Sequence, residues 1–275
     1  MHGRAKKALE IFLKEDIGKG DITSNLLPRK KISANIISRQ RGIIAGIPYV
    51  KEIFTSRNCK VRILKNDGNK IEPNDKIMII TGPAYSVLSC ERTALNLLSR
   101  MSGIATQTNK LAGIIKNTNP KVELYSTRKT APGLRVFDKE AIEIGGGRKH
   151  RISLDQTVMI KDNHLAVAES LQDIARAAKK RYKKFEVEVE NLDDAIIAAR
   201  EGATIIMLDN IPPKEISHII QILKRLNLRR GIKIEASGGI DASNVKSYAK
   251  TDIDMISIGG LTSSVQGLNL SLEVN

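Results

Sequence analysis

From Lys121 onward, short apolar runs rich in β-branched residues alternate with amphipathic stretches at helical spacing. Strands are expected at 122–126, 157–160, 185–189, 204–208, 232–236 and 254–258, and helices at 133–143, 166–181, 192–201, 213–226 and 242–250. Strand–helix alternation of this kind gives parallel neighbours joined by right-handed crossovers. A doubly wound sheet and a barrel both satisfy that rule. The strands are short and evenly spaced, which favours the barrel. Residues before 120 read differently. A helix is expected over 4–14, strands at 32–38, 43–47, 60–64 and 76–81, and a short helix over 49–56. A long helical pattern then runs from Ala84 to about Lys116, interrupted near Gly103. Strands followed by helix are an α+β pattern. The chain therefore divides into an N-terminal domain over 1–118 and an α/β barrel domain over 119–263.

Composition limits what such a chain does. With 45 Lys and Arg against 30 Asp and Glu, its formal charge is +15. A nucleic-acid surface is one explanation, but aromatics make up only 3% and Trp is absent, so stacking platforms are scarce. The basic residues are also dispersed rather than run together. A surface that draws in acidic small substrates is a second explanation, and a general lysine-rich bias is a third. Cys59 and Cys90 have neither metal-ligand spacing nor a disulfide framework, which fits a reducing cytoplasm. The N-terminal stretch lacks an h-region and cleavage site, and no apolar run approaches the roughly 20 residues of a membrane span. A soluble cytoplasmic protein is expected, acting on neither membranes nor nucleic acid.

The ends of the expected strands carry the chemistry. The first runs out into Thr127, Arg128 and Lys129, and the second ends at Lys161-Asp162-Asn163-His164. The next two end at Glu190 and Asp209, and the last two at Ser237-Gly238-Gly239 and Gly259-Gly260. Parallel α/β folds build their sites at that face. The glycine ends suit a phosphate site, because bare backbone N–H groups can wrap an anion. Tight turns alone would also account for them. Glu190 and Asp209 can hold Mg²⁺, directly or through water, or bind ribose hydroxyls. A glycosidase pair is a rival use, but it leaves the neighbouring cations unexplained.

Those cations are concentrated in 126–164, where Arg128, Lys129, Arg135, Arg148, Lys149, His150, Arg151 and Lys161 lie among residues fit for a core. Buried cations are costly unless an anion meets them. Arg135, Arg148 and Lys149 are expected at the surface. Arg128, Lys129, His150, Arg151 and Lys161 are expected to form a wall for an anionic substrate, with Arg suited to bidentate carboxylate binding. A phosphate cradle, two carboxylates and a cationic pocket together suggest phosphoribosyl transfer to an acidic acceptor.

The chain resembles the quinolinate phosphoribosyltransferase family. The matching stretches are Glu15-Asp-Ile-Gly-Lys-Gly-Asp-Ile-Thr-Ser, Glu91-Arg-Thr-Ala-Leu-Asn, Ser102-Gly-Ile-Ala-Thr and Thr127-Arg-Lys-Thr-Ala-Pro-Gly. They continue with Gly145-Gly-Gly-Arg-Lys-His-Arg, Ile160-Lys-Asp-Asn-His, Val187-Glu-Val-Glu-Asn, Met207-Leu-Asp-Asn and Glu235-Ala-Ser-Gly-Gly-Ile. The resemblance is collinear over nearly the whole chain.

It implies an incomplete (β/α) barrel preceded by a sandwich-like α+β domain that the tail 264–275 joins. It implies transfer of phosphoribosyl from phosphoribosyl pyrophosphate to quinolinate, with Mg²⁺, giving nicotinate mononucleotide, pyrophosphate and CO₂. By resemblance, Arg128, Lys129, His150, Arg151 and Lys161 match quinolinate-pocket positions, next to Thr127. Glu190 and Asp209 match the ribose and metal positions, and Ser237, Gly238, Gly239, Gly259 and Gly260 the phosphate loops. Lys129, Lys161, Glu190 and Asp209 are the expected catalytic set. Arg92 matches an arginine that a second subunit donates, which implies a homodimer with shared sites. Ser263 stands where the family often has His. Transfer to another carboxylated base is the alternative within enzymes, and basic nucleic-acid binding the alternative outside them.

Overall fold

The computed structural model describes residues 3–275. Its strands are β1 (Lys31–Ser38), β2 (Gly42–Ile43), β3 (Lys60–Ile63), β4 (Lys70–Ile71), β5 (Lys76–Pro83), β6 (Glu123–Tyr125), β7 (Val158–Ile160), β8 (Phe185–Val189), β9 (Ile205–Asp209), β10 (Lys233–Ser237), β11 (Met255–Ser257) and β12 (Leu270–Val274). The principal helices are α1 (Gly3–Ile17), α2 (Ile47–Thr55), α3 (Ala84–Thr118), α4 (Arg135–Ile144), α5 (Asp162–Leu165), α6 (Leu171–Arg181), α7 (Leu192–Arg200), α8 (Pro213–Arg225), α9 (Val245–Ala249) and α10 (Gly260–Ser263). Contacts divide the chain into two units. One contains the chain up to Asn109 with Thr130–Gly146 and Leu261–Asn275; the other contains Lys110–Lys129 and Gly147–Gly260.

The first unit is built on an antiparallel sheet in the order β12-β1-β5-β3. β1 is buried along most of its length and gains its second neighbour from the far end of the chain, with Ala34 opposite Val274. The expected strand at 43–47 shrinks to the bridge-like β2, because Gly46 takes φ +107° and α2 begins at Ile47. Helix α3 runs unbroken through Gly103. That glycine is there for packing: a Cβ would run into the backbone carbonyl of Gln266 and come within 3.1 Å of the Gly267 Cα.

Helix α4 belongs to this unit too, although its sequence lies between two barrel strands and the expected boundary put it with the barrel. Phe137 sits with its ring centroid 5.8 Å from that of Phe12 and 4.8 Å from that of Tyr49. The fully buried Asp138 takes two hydrogen bonds from Arg100, at 2.8 and 2.9 Å, while the same guanidinium donates to the Thr262 carbonyl. Amphipathic periodicity predicts a helix but not which sheet it covers.

The second unit is a parallel sheet of six strands in the order β6-β11-β10-β9-β8-β7. Read as a ring, β7 to β11 follow one another and β6 closes against β11, leaving β6 and β7 unpaired with each other. This is an incomplete (β/α) barrel, and the doubly wound alternative is excluded by the sequential order. The opening falls where α4 leaves for the other unit. Part of it is filled by the segment before β7: Arg148 bridges Tyr125 in parallel, and backbone bonds join Arg148 to Leu124 and Ser126. Helix α6 starts later than expected because Ser170 caps it, accepting from the Asp173 N–H at 3.1 Å, and α5 precedes it as a separate turn. No helix among the described residues is long and apolar enough to cross a membrane.

The Asp138–Arg100 pair supports a stability test. Asp138→Ala strands a largely buried guanidinium and should destabilise the protein by about 3–5 kcal/mol, read as a lowered midpoint in urea unfolding. An unchanged midpoint would contradict the role given to this pair.

Candidate active site

Side-chain alternation and parallel register decide what the barrel encloses. Glu188 is level with Met207, Met207 with Glu235, Glu235 with Met255, and Met255 with Glu123. Side chains two residues apart share a face, so Glu186, Asp209, Ser237, Tyr125 and Met159 lie on that face as well. Residues between them on β8, namely Phe185, Val187 and Val189, are buried and apolar, as expected for the face toward the helices. The other face is strongly polar.

Arg128 and Arg151 are half-buried in this unit. The Arg128 Nε is buried and has no hydrogen-bond partner among the described residues. Arg151 donates to the Thr157 carbonyl at 3.1 Å and has its other terminal nitrogen 3.1 Å from the Met159 Sδ. Desolvation, and then the nearby Arg128 charge, push the Arg151 guanidinium below its ordinary pKa, while Glu186 and Glu188 act in the opposite sense. Lys161, at the end of β7, forms an ion pair with Glu188. His164, which follows it, accepts the Lys161 N–H through Nδ1 at 3.0 Å and serves local structure. Lys129 lies over the last strand end, where a Cβ on Gly259 would come 3.0 Å from the Lys129 Cδ and 3.4 Å from the Thr127 Oγ1.

His150 reaches inward. Its Nε2 is 3.3 Å from Glu235 Oε2 and 3.5 Å from Glu186 Oε2, and both carboxyl groups are completely buried. Burial, reinforced by the Glu235 charge, holds the Glu186 carboxyl well above the usual carboxylate range. Arg148 remains at the surface, paired with Glu123 at 2.9 Å.

The two carboxylates expected at strand ends lie differently. Asp209 is half-buried at the end of β9 and accepts from the Asn210 Nδ2 at 2.7 Å. Glu190 lies just past β8 and is exposed, whereas Glu188 is the β8 carboxylate that meets Lys161. At the next strand ends, Gly238 and Gly239 take φ +86° and +59°, a left-handed pair after Ser237. A Cβ on Gly238 would come 2.7 Å from the Asn210 backbone nitrogen. Gly259 and Gly260 open into α10 after β11. Arg92 lies on α3 in the first unit, with its side chain 64% exposed and Glu91 3.9 Å away.

Expectation from strand ends missed Glu186, Glu188 and Glu235, which sit inside strands. The available signal was the pattern Phe-Glu-Val-Glu-Val over β8. In a barrel strand whose outer face packs on helices, that alternation puts both glutamates inside.

Comparisons with known proteins identify the family and agree with the fold. The family model for the quinolinate phosphoribosyl transferase C-terminal domain matches residues 104–273, and that for the N-terminal domain matches residues 21–102. The chain belongs to the quinolinate phosphoribosyltransferase family. It is 45% identical to a probable nicotinate-nucleotide pyrophosphorylase (carboxylating) of Archaeoglobus fulgidus, over 93% of this chain and 98% of that one. It is 41% identical to a protein of the same name from Methanocaldococcus jannaschii, over 98% and 97% of the two chains. Among solved structures, the nicotinate-nucleotide pyrophosphorylase of Francisella tularensis superposes with a TM-score of 0.91 at 35% identity, covering 99% of this chain and 96% of that one.

Proposed function

We propose that this family member transfers phosphoribosyl from phosphoribosyl pyrophosphate to quinolinate and decarboxylates the product. Nicotinate mononucleotide, pyrophosphate and CO₂ result. The observation that carries the residue assignment is the buried Arg128 Nε without a protein partner, set near the Arg151 charge. A guanidinium held out of water needs an anion, and a pyridine dicarboxylate supplies two. Arg128 and Arg151 take the carboxylates, with Lys161 and Lys129 as further cations at the rim and Thr127 beside them. The left-handed glycines after Ser237, together with Gly259 and Gly260, take phosphate groups of the donor.

In the reaction, the pyridine nitrogen is held in line with the ribose C1 by the anchored carboxylates. As the C1–O bond to pyrophosphate lengthens, C1 gains oxocarbenium character, and basic residues stabilise the departing charge. The quinolinium formed loses the carboxylate next to nitrogen as CO₂. The electron pair left on that carbon is stabilised by the ring cation, and Lys129 or Lys161 delivers the proton. Glu188 is the ion-pair partner that holds Lys161 at the end of β7.

Mg²⁺ fits one part of the site. Val189 pairs with Leu208, so Glu190 and Asp209 are the next residues of adjacent strands and offer hard oxygen ligands, directly or through water. There the ion would neutralise phosphate oxygens of the donor. The homodimer implied by the family is supported by the exposed guanidinium of Arg92, which in this proposal completes a partner's pocket. The second reading, transfer to a base with a single carboxylate, needs fewer cations than the site holds. Quinolinate and nicotinate compared under CO₂ monitoring separate the two.

Arg128→Ala removes a charged hydrogen-bond donor worth about 1.5–3 kcal/mol, so the quinolinate KM should rise roughly 10- to 150-fold with a smaller change in the donor KM. An unchanged quinolinate KM would sink the pocket assignment. Gly238→Ala forces a strained backbone and a clash with Asn210, and should raise the donor KM while leaving the quinolinate KM nearly unmoved; the reverse pattern would remove the phosphate assignment. Mixing inactive Arg92→Ala and Lys161→Ala chains should restore part of the activity, since one hybrid site then has both residues. No recovery after confirmed subunit exchange would refute the shared site.

A further inference from the structure

His150 takes a left-handed backbone, φ +53°, which is costly for a residue with a side chain and persists only where surroundings enforce it. Its ring accounts for that enforcement. The Nδ1 accepts the Arg151 backbone N–H at 2.8 Å. A ring nitrogen that accepts carries no proton, so the hydrogen of the imidazole resides on Nε2. That hydrogen points at Glu235 Oε2, 3.3 Å away, with Glu186 Oε2 at 3.5 Å. Tyr125 closes one side, its ring at 82° to the imidazole and 5.8 Å between centroids.

The two glutamates have little else to do. Both oxygens of Glu186 and the Oε1 of Glu235 are without a hydrogen-bond partner among the described residues, and both side chains are fully buried. His150, Glu186 and Glu235 present one ligand atom each within 4.8 Å of one another, which raises the question of a metal. The imidazole answers it. A histidine that ligates a metal donates its other N–H outward, whereas here the other nitrogen is an acceptor and Nε2 is occupied by hydrogen.

We infer that Glu235, backed by Glu186, is a positioning residue of the pocket: it grips His150 Nε2–H, and His150 in turn holds the Arg151 backbone so that its guanidinium faces the substrate. The inference rests on the proposed role of Arg151 as a carboxylate anchor. The chain of control runs from β10 through an imidazole to the segment that fills the barrel opening.

The first test needs no substrate. Full-length protein labelled with ¹⁵N-histidine has only four histidines, and His150→Gln identifies the resonance of interest. Long-range ¹H–¹⁵N spectra should show Nε2 protonated and Nδ1 unprotonated at neutral pH. A proton on Nδ1, whether in the other tautomer or in an imidazolium, overturns the proposal. The second test is kinetic. Glu235→Leu should raise the quinolinate KM about tenfold, the loss expected from one charged hydrogen bond, with the donor KM within about twofold. Glu235→Gln, whose amide oxygen still accepts, should recover most of that loss, and Glu235→Leu combined with His150→Gln should be no worse than His150→Gln alone. Additive losses, or equal changes in both KM values, overturn the proposal. Arg151→Ala measured alongside separates the failures. If it leaves the quinolinate KM unchanged, the anchor role of Arg151 is wrong and the proposal falls with it; if it raises that KM while Glu235→Leu does not, only the positioning role is lost.

Discussion

Charge inside a barrel is the constraint on which this site depends. Arg128, Arg151 and Lys161 lie around the polar inner face that holds Glu186, Glu188 and Glu235. Removing ions from water costs several kcal/mol each unless opposite charge and hydrogen bonds replace the solvent. The protein meets this in stages. Lys161 has Glu188, and Glu186 is pushed toward its neutral form by burial and by Glu235. Arg128 keeps an unmatched Nε. Both oxygens of Glu186 and the Oε1 of Glu235 are likewise unmatched among the described residues, so the inner face holds unsatisfied groups of both signs.

The opening of the barrel follows from the same economy of parts. The crossover between β6 and β7 contributes its helix to the other unit, where Phe137 and Asp138 are anchored by Phe12, Tyr49 and Arg100. β6 and β7 are therefore left without a shared ladder, and the segment carrying Arg148, His150 and Arg151 takes a single parallel bridge to Tyr125. The gap lets an irregular segment, with a left-handed histidine, bring cations to a face otherwise made by regular strands.

Much of this was legible before any coordinates. The β8, β9 and β10 runs and the cationic and glycine-rich strand ends follow from apolar patterning and turn chemistry, and even strand spacing favours a barrel without giving the strand order. Three things were not. Periodicity identified α4 as a helix but is silent on its partner. Gly103 read as a break in α3 because local propensity cannot register a backbone that approaches from residues 266–267. Glu186 and Glu235 were passed over because a glutamate inside an apolar strand reads as the solvent face, and only closure of the sheet turns that face inward.

That inversion also bears on how the buried cluster is interpreted. A histidine and two glutamates within 4.8 Å have the composition of a metal site, and distances alone would leave it so. The direction of one hydrogen bond, from the Arg151 N–H to His150 Nδ1, fixes where the ring proton is and removes the lone pair a metal would need. Glu235 then acts as acceptor for a donor that cannot turn away, since its other nitrogen is held by the backbone, and Glu186 lies behind it at 3.5 Å. In the proposed function Mg²⁺ would instead sit at the strand ends, where Glu190 and Asp209 offer oxygen ligands. Depth distinguishes the two sets of carboxylates: Glu186 and Glu235 are fully buried at the centre, whereas Asp209 is half-buried and Glu190 exposed at the strand ends.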